Sequence, residues 1–506
     1  LHGTVTLEST LPTITAPMSI AGPGANLIKI DGAEAHRIFD INNGSSTVDA
    51  PVAISGLSIL DGSASGAGGG IFSRESLTLA RVIVSGNTST GDGGGVYVNL
   101  ATSDASVKIG GSVISGNTAG LFGGGVFEYG AHSMSIVTST VSGNSAGTGS
   151  TGGGVYAEVN ATSTGLSISR SKFTGNQAKY GGGLLLNNAN SAATSNITLS
   201  GLIITGNKAL NGPGGGLEFG NSSIADGTVN IIGGVISGNM SEAGGGIFSR
   251  HISALTISGG IIDENASTGT ENSGINSGGG LFVEEGGGVK VTGAQILHNT
   301  SATGGGGISV ANGTSLTVIG CIVTGNKANA GDGGGVCAID PGVGESASIK
   351  GGLFSGNTSA GQGGGLYFDG QGSSVTIAGA RVDGNTSESF GGGGVKIGVT
   401  GTVTVEDSSF IKNVSNESGG GLNIRNSADL IMTGSVLRDN SGKYGGGLYM
   451  ENDTGSVLKT TISGNKAMMK GGGVYITGSN ITLQKGLVTG NTAPTGKNIY
   501  GTYTAS

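Results

Sequence analysis

Tryptophan is absent from this 506-residue chain, and there are only two cysteines, seven prolines and five histidines. Two cysteines in this length exclude a disulfide scaffold. Few prolines and no three-residue glycine period exclude a collagen-like chain. Charged residues make up 11%, with Lys plus Arg at 24 against Asp plus Glu at 32. So low a charge removes the self-repulsion that holds disordered chains open, and the excess of acid removes the basic footprint that holds phosphates. No apolar run approaches the roughly 18 residues of a membrane span, and no signal peptide is visible. The chain opens at Leu1 and reads as a mature or excised piece of something longer.

What the chain has instead is glycine, 108 residues of it, in a repeat. Val82-Ile83-Val84-Ser85-Gly86-Asn87 followed by Gly93-Gly94-Gly95-Val96-Tyr97 returns as Leu353-Phe354-Ser355-Gly356-Asn357 followed by Gly363-Gly364-Gly365-Leu366-Tyr367. Anchored on its asparagine, the repeat falls at Asn87, Asn117, Asn144, Asn176, Asn207, Asn239, Asn265, Asn299, Asn326, Asn357, Asn385, Asn413, Asn440, Asn465 and Asn491. The mean spacing is about 29 residues, a period that signals a solenoid or array. Three residues before every one of these asparagines stands an apolar side chain, from Val84 to Val488, and directly after each glycine triplet stands another, from Ile71 to Val474. Both columns should face inward.

The segments around them are short, β-branched and alternating, as in Ser315-Leu316-Thr317-Val318, the period of strands and not of helices. Strand and tight turn without helix stack into an all-β fold, a right-handed single-stranded parallel β-helix of about 15–17 coils. Residues 1–60 read as leader or cap coils and 61–506 as one continuous repeat array. Asparagines aligned in successive turns should stack amide on amide, and the glycines should supply positive φ and close backbone approach.

The pairing of Phe173-Thr174-Gly175-Asn176 or Phe354-Ser355-Gly356-Asn357 with Gly-Gly-Gly-aliphatic resembles the repeat of the polymorphic outer-membrane protein family, Phe-x-x-Asn and Gly-Gly-Ala-aliphatic. It uses Val, Ile or Leu at most Phe positions and Gly for Ala. The lead-in Gly3-Thr4-Val5-Thr6-Leu7, Leu11-Pro12-Thr13-Ile14-Thr15 and Ala21-Gly22-Pro23-Gly24-Ala25-Asn26 is similar to that of large secreted bacterial β-helix proteins. The resemblance implies an extracellular or cell-surface location and leaves activity open, since such solenoids host adhesins, passenger domains and polysaccharide enzymes alike.

Two residues after each triplet the side chain should point outward, and there Phe72, Tyr97, Phe127, Tyr156, Phe248, Phe282, Tyr367, Tyr449 and Tyr475 form a stripe drawn from only 22 Phe and Tyr in the chain. An exposed aromatic stripe is a candidate binding surface; stacking between coils is the alternative. The next outward column holds carboxylates at Glu158, Glu284, Asp369 and Glu451, three coils or ~14 Å apart at the closest, too far for the ~5–9.5 Å pair of a glycosidase. Glu128 beside Glu158 is the best local acid pair. The histidines lack metal-ligand spacing, the triplets lack the Lys-Ser or Lys-Thr of a phosphate loop, and no cofactor or metal is expected. Cys321 and Cys337 fall on opposite faces, so no disulfide is expected between them. One interval is long, Asn265 to Gly278, and its extra residues within Ser267–Ser277 should project as a polar loop.

These features favour a structural or adhesive surface β-helix that presents the stripe to a carbohydrate or another surface protein. A polysaccharide lyase or hydrolase is the first alternative, and it needs clustered acids or bases that the sequence does not show. The second is a subunit of an end-to-end filament, because the repeat continues to Asn491 and a terminal coil exposes a pairing edge.

Overall fold

Between Ser106 and Tyr129 apolar residues alternate with small polar ones, and that alternation folds into four strands, Ser106–Gly110, Val113–Ser115, Thr118–Ala119 and Val126–Tyr129. Val107, Ile109, Ile114, Ala119 and Val126 turn inward and are at most 1% exposed. The two-residue strand takes only Ser or Ala at its inward position, Ser89, Ala119, Ala146 and Ala178 among them, because that corner is too narrow for a larger side chain. Each full-sized aliphatic buried in this way contributes about 1.5–3 kcal/mol, realised only when a neighbouring coil covers it.

The computed structural model describes the chain except residues 1, 101, 103, 160–164, 189–195, 221–224, 270–276, 340–345 and 427–428. Among the described residues there is no α-helix; a short 3-10 turn at Lys485–Leu487 is the helical element. The chain divides into two units, Leu1–Leu255 and Thr256–Ser506, and the parallel β-solenoid counts about 16 turns.

Within the first unit equivalent strands of successive coils pair parallel and in register, so that Val84, Ile114, Val141, Phe173, Ile204 and Ile236 lie in one column. Residues 1–60 already contribute to the same sheets, with Gly3 opposite Ile28, Met18 opposite Val52 and Phe39 opposite Ile71. The second unit repeats the arrangement, and its column runs through Ile262, Ile296, Val323, Phe354, Val382, Phe410, Leu437, Ile462 and Val488.

The asparagines line one inner corner as a hydrogen-bonded ladder. Asn117 is typical: its Nδ2 donates to the Val84 carbonyl at 3.0 Å and to Asn144 Oδ1 at 2.9 Å, and its backbone N–H donates to Asn144 Oδ1 at 3.0 Å. The pattern runs from Asn87 to Asn239 in the first unit and from Asn265 to Asn491 in the second. Every buried amide so placed has its donors and acceptor occupied, which is what makes an apolar interior tolerate it.

The glycine triplets close against this ladder. Gly93 adopts φ +64°, while a Cβ on Gly95 would stand 2.7 Å from the Gly125 carbonyl oxygen and 2.9 Å from Asn117 Cγ. The first glycine is required both by its dihedral and by the Val96 carbonyl oxygen, 2.6 Å from where a Cβ would stand, and the third by its lack of a side chain alone.

Candidate functional site

The strand after each triplet turns its second residue outward, and on this face the aromatics stack from coil to coil. In the first unit Phe72, Tyr97, Phe127 and Tyr156 follow one another at centroid separations of 5.0, 5.1 and 5.1 Å with planes within 14°. In the second unit Tyr449 and Tyr475 lie 5.1 Å apart, and Tyr500, which the repeat pattern does not reach, continues the stack at 5.1 Å. Such offset stacks contribute about 0.5–1.5 kcal/mol per pair beyond area burial.

The exposure expected of this column is not found. Phe127, Phe248, Phe282, Tyr367 and Tyr449 are between 1% and 7% exposed, and Phe72, Tyr97, Tyr156 and Tyr475 are half-buried. The cause is the turn that precedes the triplet, which doubles back across the outward face: a Cβ on Gly93 would lie 2.7 Å from Tyr97 Cβ, and one on Gly152 would lie 2.8 Å from Tyr156 Cβ. From Phe72 to Tyr156 and from Tyr449 to Tyr500 ring faces are consumed by neighbouring rings, Tyr367 lies instead between Cys337 and Lys396, and the turn passes close above.

The tyrosine hydroxyls are held by the second outward column. Asn99 Nδ2 donates to Tyr97 Oη at 3.0 Å, Tyr367 Oη donates to Asp369 at 3.0 Å, Tyr449 Oη donates to Glu451 at 3.2 Å, and Tyr156 bonds Glu158. Burial first, and then the carboxylates that these hydroxyls bond, push the Tyr449 hydroxyl up to about 12, against the lowering by Arg425, and raise Tyr156 and Tyr367 further. These phenols stay protonated donors at any physiological pH.

Glu128 and Glu158 do not form a pair. Alternation along Val126–Tyr129 turns Glu128 inward, in register with Val98 and Ala157, where it is fully buried. Its Oε1 accepts the Ala131 N–H at 2.6 Å, and Oε2 is buried without a hydrogen-bond partner. Burial pushes its carboxyl up to about 8. An acid sealed in the core cannot meet a substrate. Cys321 also lies inside, whereas Cys337 occupies the outward column, and both are free and fully buried. The projecting loop expected within Ser267–Ser277 falls largely on residues 270–276, outside the described residues; at its base Ser277 Oγ meets Ser267 Oγ and Ser301 Oγ, both at 3.1 Å.

Large apolar side chains reach solvent at many places, including the leader and the outer faces of strands, as at Val48, Ile232 and Ile431. One group of them sits in the segments just before the triplets: Leu121, Phe122 and Leu210 in the first unit, at 49%, 37% and 43% exposure, and Phe390, Met468 and Met469 in the second, at 68%, 54% and 47%. Phe122 leans on Tyr156 at 5.7 Å, and Tyr444, at the equivalent place in the second unit, meets Tyr475 at 5.5 Å. The signal was in the sequence: most of these segments hold small or polar residues, such as Asp92, Glu242, Asp332 and Gln362, and a large apolar residue among them stands out.

In the second unit the aromatic column is broken at Lys396 and Asn423, which pair in register between Tyr367 and Tyr449. Lys396 is 5% exposed, its Nζ donates to the Ile397 carbonyl at 3.1 Å, and burial lowers its ammonium to about 8. Beside this break opens a cleft of about 430 Å³ lined by Glu388, Ser389, Phe390, Glu417, Ser418 and Arg425. Arg425 pairs with Glu451 at 3.2 Å and lies over the Tyr449 ring at 4.9 Å.

Two protein families match the chain. Residues 333–492 match the right handed beta helix region, and residues 81–99 match the Chlamydia polymorphic membrane protein repeat. The second match spans Val84-Ser85-Gly86-Asn87 and Gly93-Gly94-Gly95-Val96, the asparagine rung and its triplet. No curated protein matches the chain. Register, ladder and family match agree that the chain is a right-handed parallel β-helix repeat protein, similar over residues 81–99 to the polymorphic membrane protein repeat.

Proposed function

We propose that this protein acts at the cell surface as an adhesin-like β-helix, rigid along its ladder and stacks, and that it meets its partner through the turns that precede the triplets. The polymorphic membrane protein repeat supports the surface location. The observation that carries the contact surface is the group of exposed apolar side chains in the segments leading into the triplets, Leu121, Phe122 and Leu210 in one unit and Phe390, Met468 and Met469, the last two on a short strand, in the other. Exposed apolar groups clustered on a surface mark interaction sites, and within each unit the in-register coils carry them at fixed spacing. The aromatic column then serves the same surface from beneath, as the spine on which Phe122 and Tyr444 rest.

The test is adhesion of protein-coated beads to cultured cells and to extracellular matrix, with released sugar measured in the same samples. Serine at Leu121 and Phe122, or at Phe390, Met468 and Met469, should reduce bead retention by about tenfold or more, the loss expected from an interface without its apolar anchors. Unchanged retention in both variants would overturn the contact surface. Sugar release would replace adhesion with polysaccharide cleavage.

A further inference from the structure

We infer that the cleft at Phe390 is a binding site for a pyranose ring of a neutral oligosaccharide. This rests on the adhesive reading and names its ligand class. The cleft is formed by two adjoining coils, whose short strands pair Thr386 with Val414 and Ser387 with Ser415. Its volume of about 430 Å³ lies within the range of small-ligand sites, ~300–1,000 Å³.

One wall is Phe390, whose placement is costly. Its backbone stands at φ +57°, and the Gly391 N–H closes a three-residue turn on the Ser389 carbonyl at 2.8 Å. A bulky residue in the left-handed region is an outlier, and this one is also 68% exposed. Both costs hold a flat apolar ring beside the opening. The opposite wall is fixed from behind: the Ser418 carbonyl accepts Asn423 Nδ2 at 3.0 Å, and Ser418 Oγ accepts Arg425 Nη2 at 3.3 Å. Asn423 is fully buried, and its Oδ1 lacks a hydrogen-bond partner. Because Lys396 and Asn423 replace aromatics here, no stacked ring extends to fill the gap.

Charge selects the ligand. Glu417 is paired with Lys443 at 3.2 Å and Arg425 with Glu451 at 3.2 Å, which leaves Glu388, without an ion pair among the described residues, as the one uncompensated charge at the cleft. A uronate or sulfate meets a carboxylate and an already occupied guanidinium. A cationic peptide finds one of the two acids already neutralised. A neutral sugar offers hydroxyl donors to carboxylates that only accept, and an apolar C–H face to Phe390.

The experiment is saturation-transfer NMR and calorimetry on the full chain with neutral hexasaccharides of glucose, mannose and galactose, an oligogalacturonate and an oligo-arginine peptide. At least one neutral sugar should bind. Phe390→Ala should weaken it by about tenfold or more at an unchanged melting temperature, Phe390→Tyr should retain it, and Phe122→Ala should leave it intact. Preference for oligogalacturonate or peptide, no binding by any neutral sugar, or indifference to Phe390→Ala would each overturn the inference. If wild-type beads still adhere to cells while no sugar binds, this site alone fails; if adhesion is absent too, the adhesive reading falls with it.

Discussion

The side-chain oxygen of Asn117 accepts two hydrogen bonds from Asn87, one from its backbone N–H at 3.0 Å and one from Nδ2 at 2.9 Å. Removing a rung therefore strands donors on the coil before it as well as losing its own bonds. Asn117→Ala should destabilise the protein by roughly 2–4 kcal/mol, since each buried group left unpaired costs about 1–3 kcal/mol. Hydrogen exchange should localise the damage to the coils carrying Asn87 and Asn144. A variant with wild-type protection at those coils would show that the ladder is incidental to stability.

A triplet glycine and the glycine before a ladder asparagine separate two effects that a sequence count of glycine merges. Gly95→Ala drives a methyl to 2.7 Å from a backbone oxygen, whereas Gly116, at φ +63°, has open space around its missing Cβ. Gly116→Ala should cost about 1 kcal/mol, for the dihedral alone. Gly95→Ala should cost several-fold more, because two stacked coils would have to separate. Equal melting-point losses would refute the steric account.

The coil and its inward columns were legible because two strict apolar positions and one asparagine recur at nearly constant spacing, and alternation then assigns every neighbour a face. Alternation along Val126–Tyr129 also placed Glu128 inside, so its pairing with Glu158 could have been rejected from the sequence. The burial of Phe248 or Tyr367 could not be read that way. A strand's period says which way a side chain leaves the sheet and not what folds over it. The roof is the turn before the triplet, and its path depends on a single positive φ, as at Gly93, and on backbone contacts between coils. The cleft at Phe390 depends on the same turns, on the replacement of aromatics by Lys396 and Asn423 in a column that stays in register, and on an added glycine in Gly391–Gly394, features that look like ordinary repeat drift along the chain.

Cys321 Sγ lies 3.4 Å from the Ile319 carbonyl and 3.5 Å from the Val291 carbonyl, inside the coil, while Cys337 is sealed under the turn at Gly305 and Gly333. Burial raises both thiols above their ordinary range, Cys337 more strongly. Reactivity follows thiolate and access. Ellman's reagent should find essentially no thiol in the native protein at pH 8 and both after denaturation. Rapid native reaction of either would contradict the packing described for that column.

Two buried acids should give the protein an unusual dependence on pH. Burial pushes the carboxyls of Glu128 and Glu218 up to about 8, and Arg250 opposes the shift at Glu218 without cancelling it. Unfolded, both titrate near 4.5. Below about pH 4.5 folded and unfolded chains hold these protons equally; between about 4.5 and 8 only the folded chain holds them, so stability is greatest at the acid end and falls as pH rises. Each group should contribute a loss on the order of 1 kcal/mol per pH unit in that window. Lys396, lowered to about 8, stays charged in both states through the same window and begins to act only above it, with the opposite sign. Denaturation at pH 5, 6.5 and 8 should therefore show the wild type weakening steadily, and Glu128→Gln with Glu218→Gln should flatten the slope. A wild type that gains stability from pH 5 to pH 8 would mean that these carboxylates are ionised in the folded chain, and that the core around Glu128 admits water.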